Sequence, residues 1–97
     1  MKITKNNIYI HELIGLYASV VESSNATLNG LSGRIVFESK NMLYIVVDDK
    51  YKRVKMVPKN SVTLSFTLPD GSTCIVKGND LIGRPEDRIE RVSKYEY

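Results

Sequence analysis

Six short runs of β-forming residues, each closed by turn material, constrain this chain more than any other feature. They read LYASVVE at 16–22, GRIVFES at 33–39, MLYIVVD at 42–48, YKRVKMV at 51–57, VTLSFTL at 62–68 and STCIVK at 72–77. All are rich in Val, Ile, Tyr, Phe or Thr, which suit a pleated, half-buried surface. The fifth run alternates cleanly, with Val62, Leu64, Phe66 and Leu68 on one face and Thr63, Ser65 and Thr67 on the other, the period of a strand with one wet face. Between the runs lie Asn29-Gly30, Ser32-Gly33, Ser39-Lys40-Asn41, Asp48-Asp49-Lys50 and Pro69-Asp70-Gly71. Connections this short imply antiparallel hairpins, because a parallel crossover needs a dozen or more residues. An open sheet of this size would leave two edges and little core. The expected fold is therefore mainly β, a small curved antiparallel barrel of about six strands.

The ends read as helical. Thr4 can cap a helix through Leu13 with Gly15 as its stop, although Ile3, Ile8, Tyr9 and Ile10 would suit an extended arm as well. Pro85 fits a first helical position, Glu86 and Asp87 complement the helix dipole, and Asp87/Arg91 and Glu90/Lys94 are acid-first pairs four residues apart. Ile89 and Val92 give that helix a narrow apolar stripe. The layout expected is an N-terminal helix or arm over 1–15, a barrel over 16–83, and a C-terminal helix and tail over 84–97. With 97 residues, 42% hydrophobic and 26% charged, this is one ordinary domain. No apolar run is long enough to span a bilayer, and the opening residues lack a signal-peptide pattern. The default expectation is a soluble cytoplasmic protein with no membrane partner.

The charge is unevenly placed. Residues 1–49 sum to −1, whereas residues 50–97 hold ten basic and six acidic residues and sum to +4. Lys50, Lys52, Arg53, Lys55 and Lys59 form a stretch without an acid. Tyr51, Arg53 and Lys55 should share one face of the fourth run. Val54 and Met56 should then point inward, leaving a guanidinium, an ammonium and a phenol to meet phosphates and bases. The opposing reading is a strand edge protected by lysines, or neutralisation by Asp48 and Asp49.

Catalytic equipment is sparse. One cysteine excludes an internal disulfide, and one histidine with one cysteine excludes a zinc finger within the chain. His11-Glu12 lacks the second histidine of HExxH, since Gly15 stands there. Asp48 and Asp49 are adjacent on a strand and diverge, which disfavours a metal pair. Cys74 reads as a small buried hydrophobe beside Val76, and Gly30-Leu31-Ser32-Gly33 as a tight turn. Catalytic residues: none expected.

In order along the chain, His11-Glu12-Leu13-Ile14-Gly15, Gly30-Leu31-Ser32-Gly33-Arg34-Ile35-Val36, Glu38, Asn41, Lys59 and Gly78-Asn79-Asp80-Leu81-Ile82-Gly83-Arg84-Pro85-Glu86-Asp87-Arg88 resemble the archaeal ribonuclease P protein component 1 family, the counterpart of a eukaryotic subunit shared with RNase MRP. The resemblance covers about residues 8–92, with Ser39 and Met42 where the family pattern suggests threonines. It implies an Sm-like (SH3-like) barrel. It also implies a non-catalytic subunit: the ribonuclease P RNA, with its Mg²⁺, removes 5′ leaders from precursor tRNA, and a zinc-ribbon protein subunit pairs with this one. No cofactor is implied for this chain itself, and contact with precursor tRNA would be indirect. Carried over by residue, Arg34, Lys59, Arg84 and Arg88 are expected RNA contacts. Lys52, Arg53 and Lys55 are nominated by charge alone. Arg84 and Arg88 have a structural alternative, as ion-pair partners of Glu38 or Glu12. Ile8, Tyr9 and Ile10 are expected protein-partner contacts. The competing functional reading is a free-standing Sm- or SH3-like RNA chaperone or adaptor. A stand-alone nuclease is disfavoured by the missing acid cluster.

Overall fold

The computed structural model describes residues 3–4 and 7–88. It forms one six-stranded antiparallel sheet: β1 (Tyr17–Ser23), β2 (Ser32–Glu38), β3 (Met42–Asp48), β4 (Arg53–Pro58), β5 (Val62–Thr67) and β6 (Thr73–Lys77), in the order β4-β3-β2-β1-β5-β6. Each strand falls on one of the six runs expected from sequence, within two residues at either end. The fold is mainly β, as read. Irregular registers at Val20/Glu22 in β1, Ile35/Phe37 in β2 and Val46/Asp48 in β3 add local bend and twist, which curls the sheet around one core.

That core is lined by the inward members of each strand. Ala18 and Val20, Ile35, Leu43 and Ile45, Val57, Val62, Leu64 and Phe66, and Cys74 and Val76 are all buried. The alternation read in 62–68 holds, since Val62, Leu64, Phe66 and Leu68 are buried while Thr67 is exposed. Cys74 packs opposite Phe66, and Val76 opposite Leu64. Burying a branched aliphatic or aromatic side chain contributes about 1.5–3 kcal/mol, so this row is the main source of cohesion.

Two glycines mark places where backbones meet. A Cβ on Gly33 would lie 1.8 Å from the Val46 carbonyl oxygen, and one on Gly78 would lie 2.0 Å from that of Lys59. Gly33 is thus a strand residue pressed beneath β3, while the turn itself is made around Gly30, whose φ is +82. Gly78 lets the short turns Lys59–Ser61 and Gly78–Leu81 pack against each other.

The N-terminal segment departs from expectation. Among the described residues, a single 3₁₀ turn, Ile8–Ile10, forms where the sequence also allows a helix through Leu13. The cause is visible in the hydrogen bonds. The Tyr9 and His11 carbonyls accept from the Arg88 guanidinium, and the Leu13 and Gly15 N–H groups donate to Glu38 and to the Ile35 carbonyl. A helix would have used these groups internally. Ile8 and Leu13 are fully buried in the core. Ile8 therefore offers no surface to a partner, a correction to its expected role, and Tyr9 and Ile10 are half-buried.

At the other end, 85–88 is helical, with Pro85 in the first turn as read. Asp87 reaches back to accept the Arg84 N–H at 3.3 Å, the reciprocal half of a capping box. Arg91, Ile89, Val92 and the Glu90/Lys94 pair lie outside the described residues.

Candidate functional site: a buried ion cluster and an exposed basic edge

Glu38 closes β2 with its side chain turned into the protein. The bulge between Ile35 and Phe37 resets the alternation, so Glu38 follows Gly33 and Ile35 onto the inner face. Its Oε1 accepts from Lys59 Nζ at 3.0 Å and from Arg88 Nη1 at 2.5 Å, and its Oε2 accepts the Leu13 N–H at 3.3 Å. Lys59 is 0% exposed and Arg88 is 2% exposed. A carboxylate shared by two cations leaves an excess positive charge in a dry site, costly unless further acceptors surround it. Six backbone carbonyls meet that need. Lys59 donates to those of Ser39, Lys40 and Gly83, and Arg88 to those of Tyr9, His11, Leu81 and Gly83. Burial, the largest influence, still pushes the Lys59 ammonium below the ordinary lysine range. The Glu38 hydrogen bond and charge oppose that shift, and the Arg88 charge adds to it.

These contacts reassign two expected RNA contacts. Lys59 and Arg88 have no surface with which to meet a phosphate. Arg88 takes the structural alternative, with Glu38 as its acid, and together they tie residues 9–13, the end of β2, the turn after β4 and the C-terminal segment into one junction. Arg84 is exposed and pairs with no acid among the described residues. It stands free of the cluster that holds Arg88.

The remaining expected contacts are on the surface. Lys52, Arg53 and Lys55 are exposed, and none has a carboxylate within ion-pair distance among the described residues. Arg34 is exposed with a loose 3.9 Å approach to Asp49, an arrangement that adds little to stability. Asp48 does not neutralise the patch, because its Oδ1 accepts the N–H groups of Lys50 and Tyr51 and so builds the turn. Lys52 completes that turn with φ +55. Lys50, not among the expected contacts, sits over the Tyr51 ring at 5.3 Å; its place in the acid-free stretch was the available signal.

The facing of β4 is the reverse of that expected. Lys55 is opposite Ile45 and Val57 opposite Leu43, both inward residues, whereas Val54 and Met56 are opposite Val46 and Tyr44 on the outer face. Arg53 and Lys55 nevertheless remain exposed on β4, which is an outermost strand of the sheet with β3 as its one paired neighbour among the described strands. Val54 and Met56 are 47% and 53% exposed and line the outer face instead of the core. Charge at an outer strand also blunts edge-to-edge aggregation.

Tyr9, whose carbonyl accepts from Arg88, has a shifted phenol of its own. Burial, then the charges of Asp80 and Cys74, raises its phenol above the ordinary range.

Comparison with known proteins places this geometry. A family profile described as "Ribonuclease P/MRP, subunit p29" matches residues 6–91. The chain is 40% identical to the ribonuclease P protein component 1 of Methanococcoides burtonii, over 97% of this chain and 96% of that one. It is 45% identical to the protein of that name from Thermofilum pendens, over 94% and 95%. Among solved structures, "Structure of Mth11: A homologue of human RNase P protein Rpp29" is 40% identical, covers 80% of this chain and 97% of that one, and superposes with a TM-score of 0.59. The motif residues Glu38, Lys59, Gly83 and Arg88 meet at one buried junction of such a fold, and the chain belongs to the ribonuclease P/MRP subunit p29 family.

Proposed function

We propose that this chain is a non-catalytic, RNA-binding protein subunit of ribonuclease P, supporting RNA-catalysed removal of 5′ leaders from precursor tRNA in the cytoplasm. The observation that carries the reading is the division of its cations. Within a chain of this family, Lys59 and Arg88 are consumed by the fold, whereas Arg34, Lys52, Arg53, Lys55 and Arg84 reach solvent. Exposed cations, of which Lys52, Arg53 and Lys55 cluster along the β4 edge with no acid partner among the described residues, supply the sequence-independent, salt-sensitive part of RNA affinity.

In mechanism, these side chains neutralise phosphates and so hold the RNA folded at lower Mg²⁺. The bond-breaking chemistry and its Mg²⁺ belong to the RNA in this reading, and zinc belongs to a zinc-ribbon protein partner. The one buried carboxylate, Glu38, is fully engaged by two cations and a backbone N–H, which supports a structural rather than a catalytic role for it. Tyr9 and Ile10, half-buried at the surface, are the remaining candidates for the protein-partner contact.

Reconstitution of precursor-tRNA cleavage with the RNA and the protein subunits tests this. Omitting the chain should raise the Mg²⁺ requirement. Unchanged cleavage and Mg²⁺ dependence would overturn the reading.

A further inference from the structure

The outer face of β1, β2 and β3 carries rings where a sheet facing water ordinarily carries polar residues. Register places Tyr17, Arg34, Val46 and Val54 side by side on one rung crossing four strands, and Phe37, Tyr44 and Met56 on the next. Tyr17 and Phe37 are 49% and 54% exposed. Phe37 meets Tyr44 edge-on, with centroids 5.3 Å apart and planes at 67°. The Tyr17 hydroxyl donates to Ser32 Oγ at 3.1 Å, which fixes the phenol ring. A contiguous apolar patch of this kind marks a binding surface.

We infer that this face is a stacking platform for unpaired RNA bases, resting on the proposed RNA-binding role and naming the part of the RNA it takes. Two arguments select RNA as the occupant. Arg34 stands beside Tyr17 on the same rung, its guanidinium exposed and held only by a loose 3.9 Å approach to Asp49, so it is available to stack on a base or meet a phosphate next to the Tyr17 ring. The first rung also runs directly into the basic turn at 50–53, because Val46 and Val54 flank it on β3 and β4. A strand whose phosphates follow Lys50, Lys52 and Arg53 would lay its bases over Tyr17, Tyr44 and Phe37. Duplex RNA keeps its bases paired and stacked internally, so it cannot use the rings.

The test compares wild type with Tyr17→Ala/Phe37→Ala for binding to a single-stranded oligoribonucleotide and to a duplex of the same length. The platform predicts about a tenfold or greater loss for the single strand, little change for the duplex, and an unchanged salt slope, since no phosphate contact is removed. The chain has no tryptophan, so Phe37→Trp adds a single indole at an exposed site. Its fluorescence should be quenched by the single strand and not by the duplex. Equal single-strand affinity in the double variant, or an indole blind to RNA, would overturn the platform. So would ring variants that keep RNA affinity and instead lose a purified protein subunit. In each of those cases the reading of the basic edge stands if Lys52→Glu/Arg53→Glu/Lys55→Glu still weakens RNA binding.

Discussion

Arg88 Nη1 donates to Glu38 Oε1 at 2.5 Å across fifty positions of sequence, and Arg88 has almost no exposed surface. A residue that reads as a phosphate contact is in fact the pin that holds residues 9–11 and 81–83 together against the end of β2. Family motifs can therefore mark what the fold needs as readily as what the ligand touches.

Removing the acid should expose that dependence. Glu38→Gln leaves two cations facing backbone carbonyls without their counter-charge, and such losses cost about 3–5 kcal/mol. Asp49→Asn, which removes only the exposed 3.9 Å partner of Arg34, should cost below about 1 kcal/mol. Urea unfolding of the two variants separates them; comparable midpoints would deny the cluster its structural role.

The cluster also predicts a pH dependence with a definite sign. Burial lowers the Lys59 pKa in the folded state below the 10.5 of an exposed lysine. The unfolded chain therefore holds the proton that the folded chain releases, and stability gains as pH rises between those two values. Tyr9 works the other way. Its raised folded pKa means that its contribution is present below about 10, the ordinary tyrosine value, and lost above it. Subtracting the stability of Lys59→Met at each pH isolates the lysine. The wild type should improve relative to this variant on going from neutral pH toward 10.5, and a constant or falling difference would contradict the assignment.

Close backbone approach gives a third prediction. Gly33→Ala and Gly78→Ala each force a methyl group into a carbonyl oxygen, so each should destabilise by about 1–3 kcal/mol or more. Thermal melts of both variants would show this as a clear fall in Tm. Values equal to wild type would mean that these strands and turns are further apart than described.

The β3–β4 turn allows stability and binding to be pulled apart. Lys52 occupies the left-handed region at φ +55, which asparagine tolerates better than lysine. Lys52→Asn should be neutral to stabilising by up to about 1 kcal/mol, while weakening RNA binding by loss of one cation. A gain in stability without any loss of affinity would remove Lys52 from the interface.

Most of the fold was legible, because hairpin turns and period-2 alternation are local properties. The 62–68 strand and the Pro85 helix start followed directly from side-chain chemistry. Facing failed on β4, where the pattern of Arg53, Lys55, Val54 and Met56 points one way and the register set by β3 and its irregularity at Val46/Asp48 points the other. Lys59 and Arg88 misled for a different reason. Lysine and arginine are almost never buried unless paired, and their partner Glu38 lies far away in sequence. The usable hint was Glu38 itself, a single acid closing a run whose inner face is otherwise Gly33 and Ile35.

The central claim is that the exposed cations bind RNA while the buried ones hold the fold. The most direct measurement is the affinity of the purified chain for ribonuclease P RNA over a range of salt concentrations, for wild type and for Lys52→Glu/Arg53→Glu/Lys55→Glu, with unfolding curves on both. The account predicts a native stability close to wild type, a weaker affinity, and a shallower fall of affinity with salt, as fewer phosphate contacts release counterions. A triple variant that is equally stable and binds with the wild-type affinity and salt slope would contradict it.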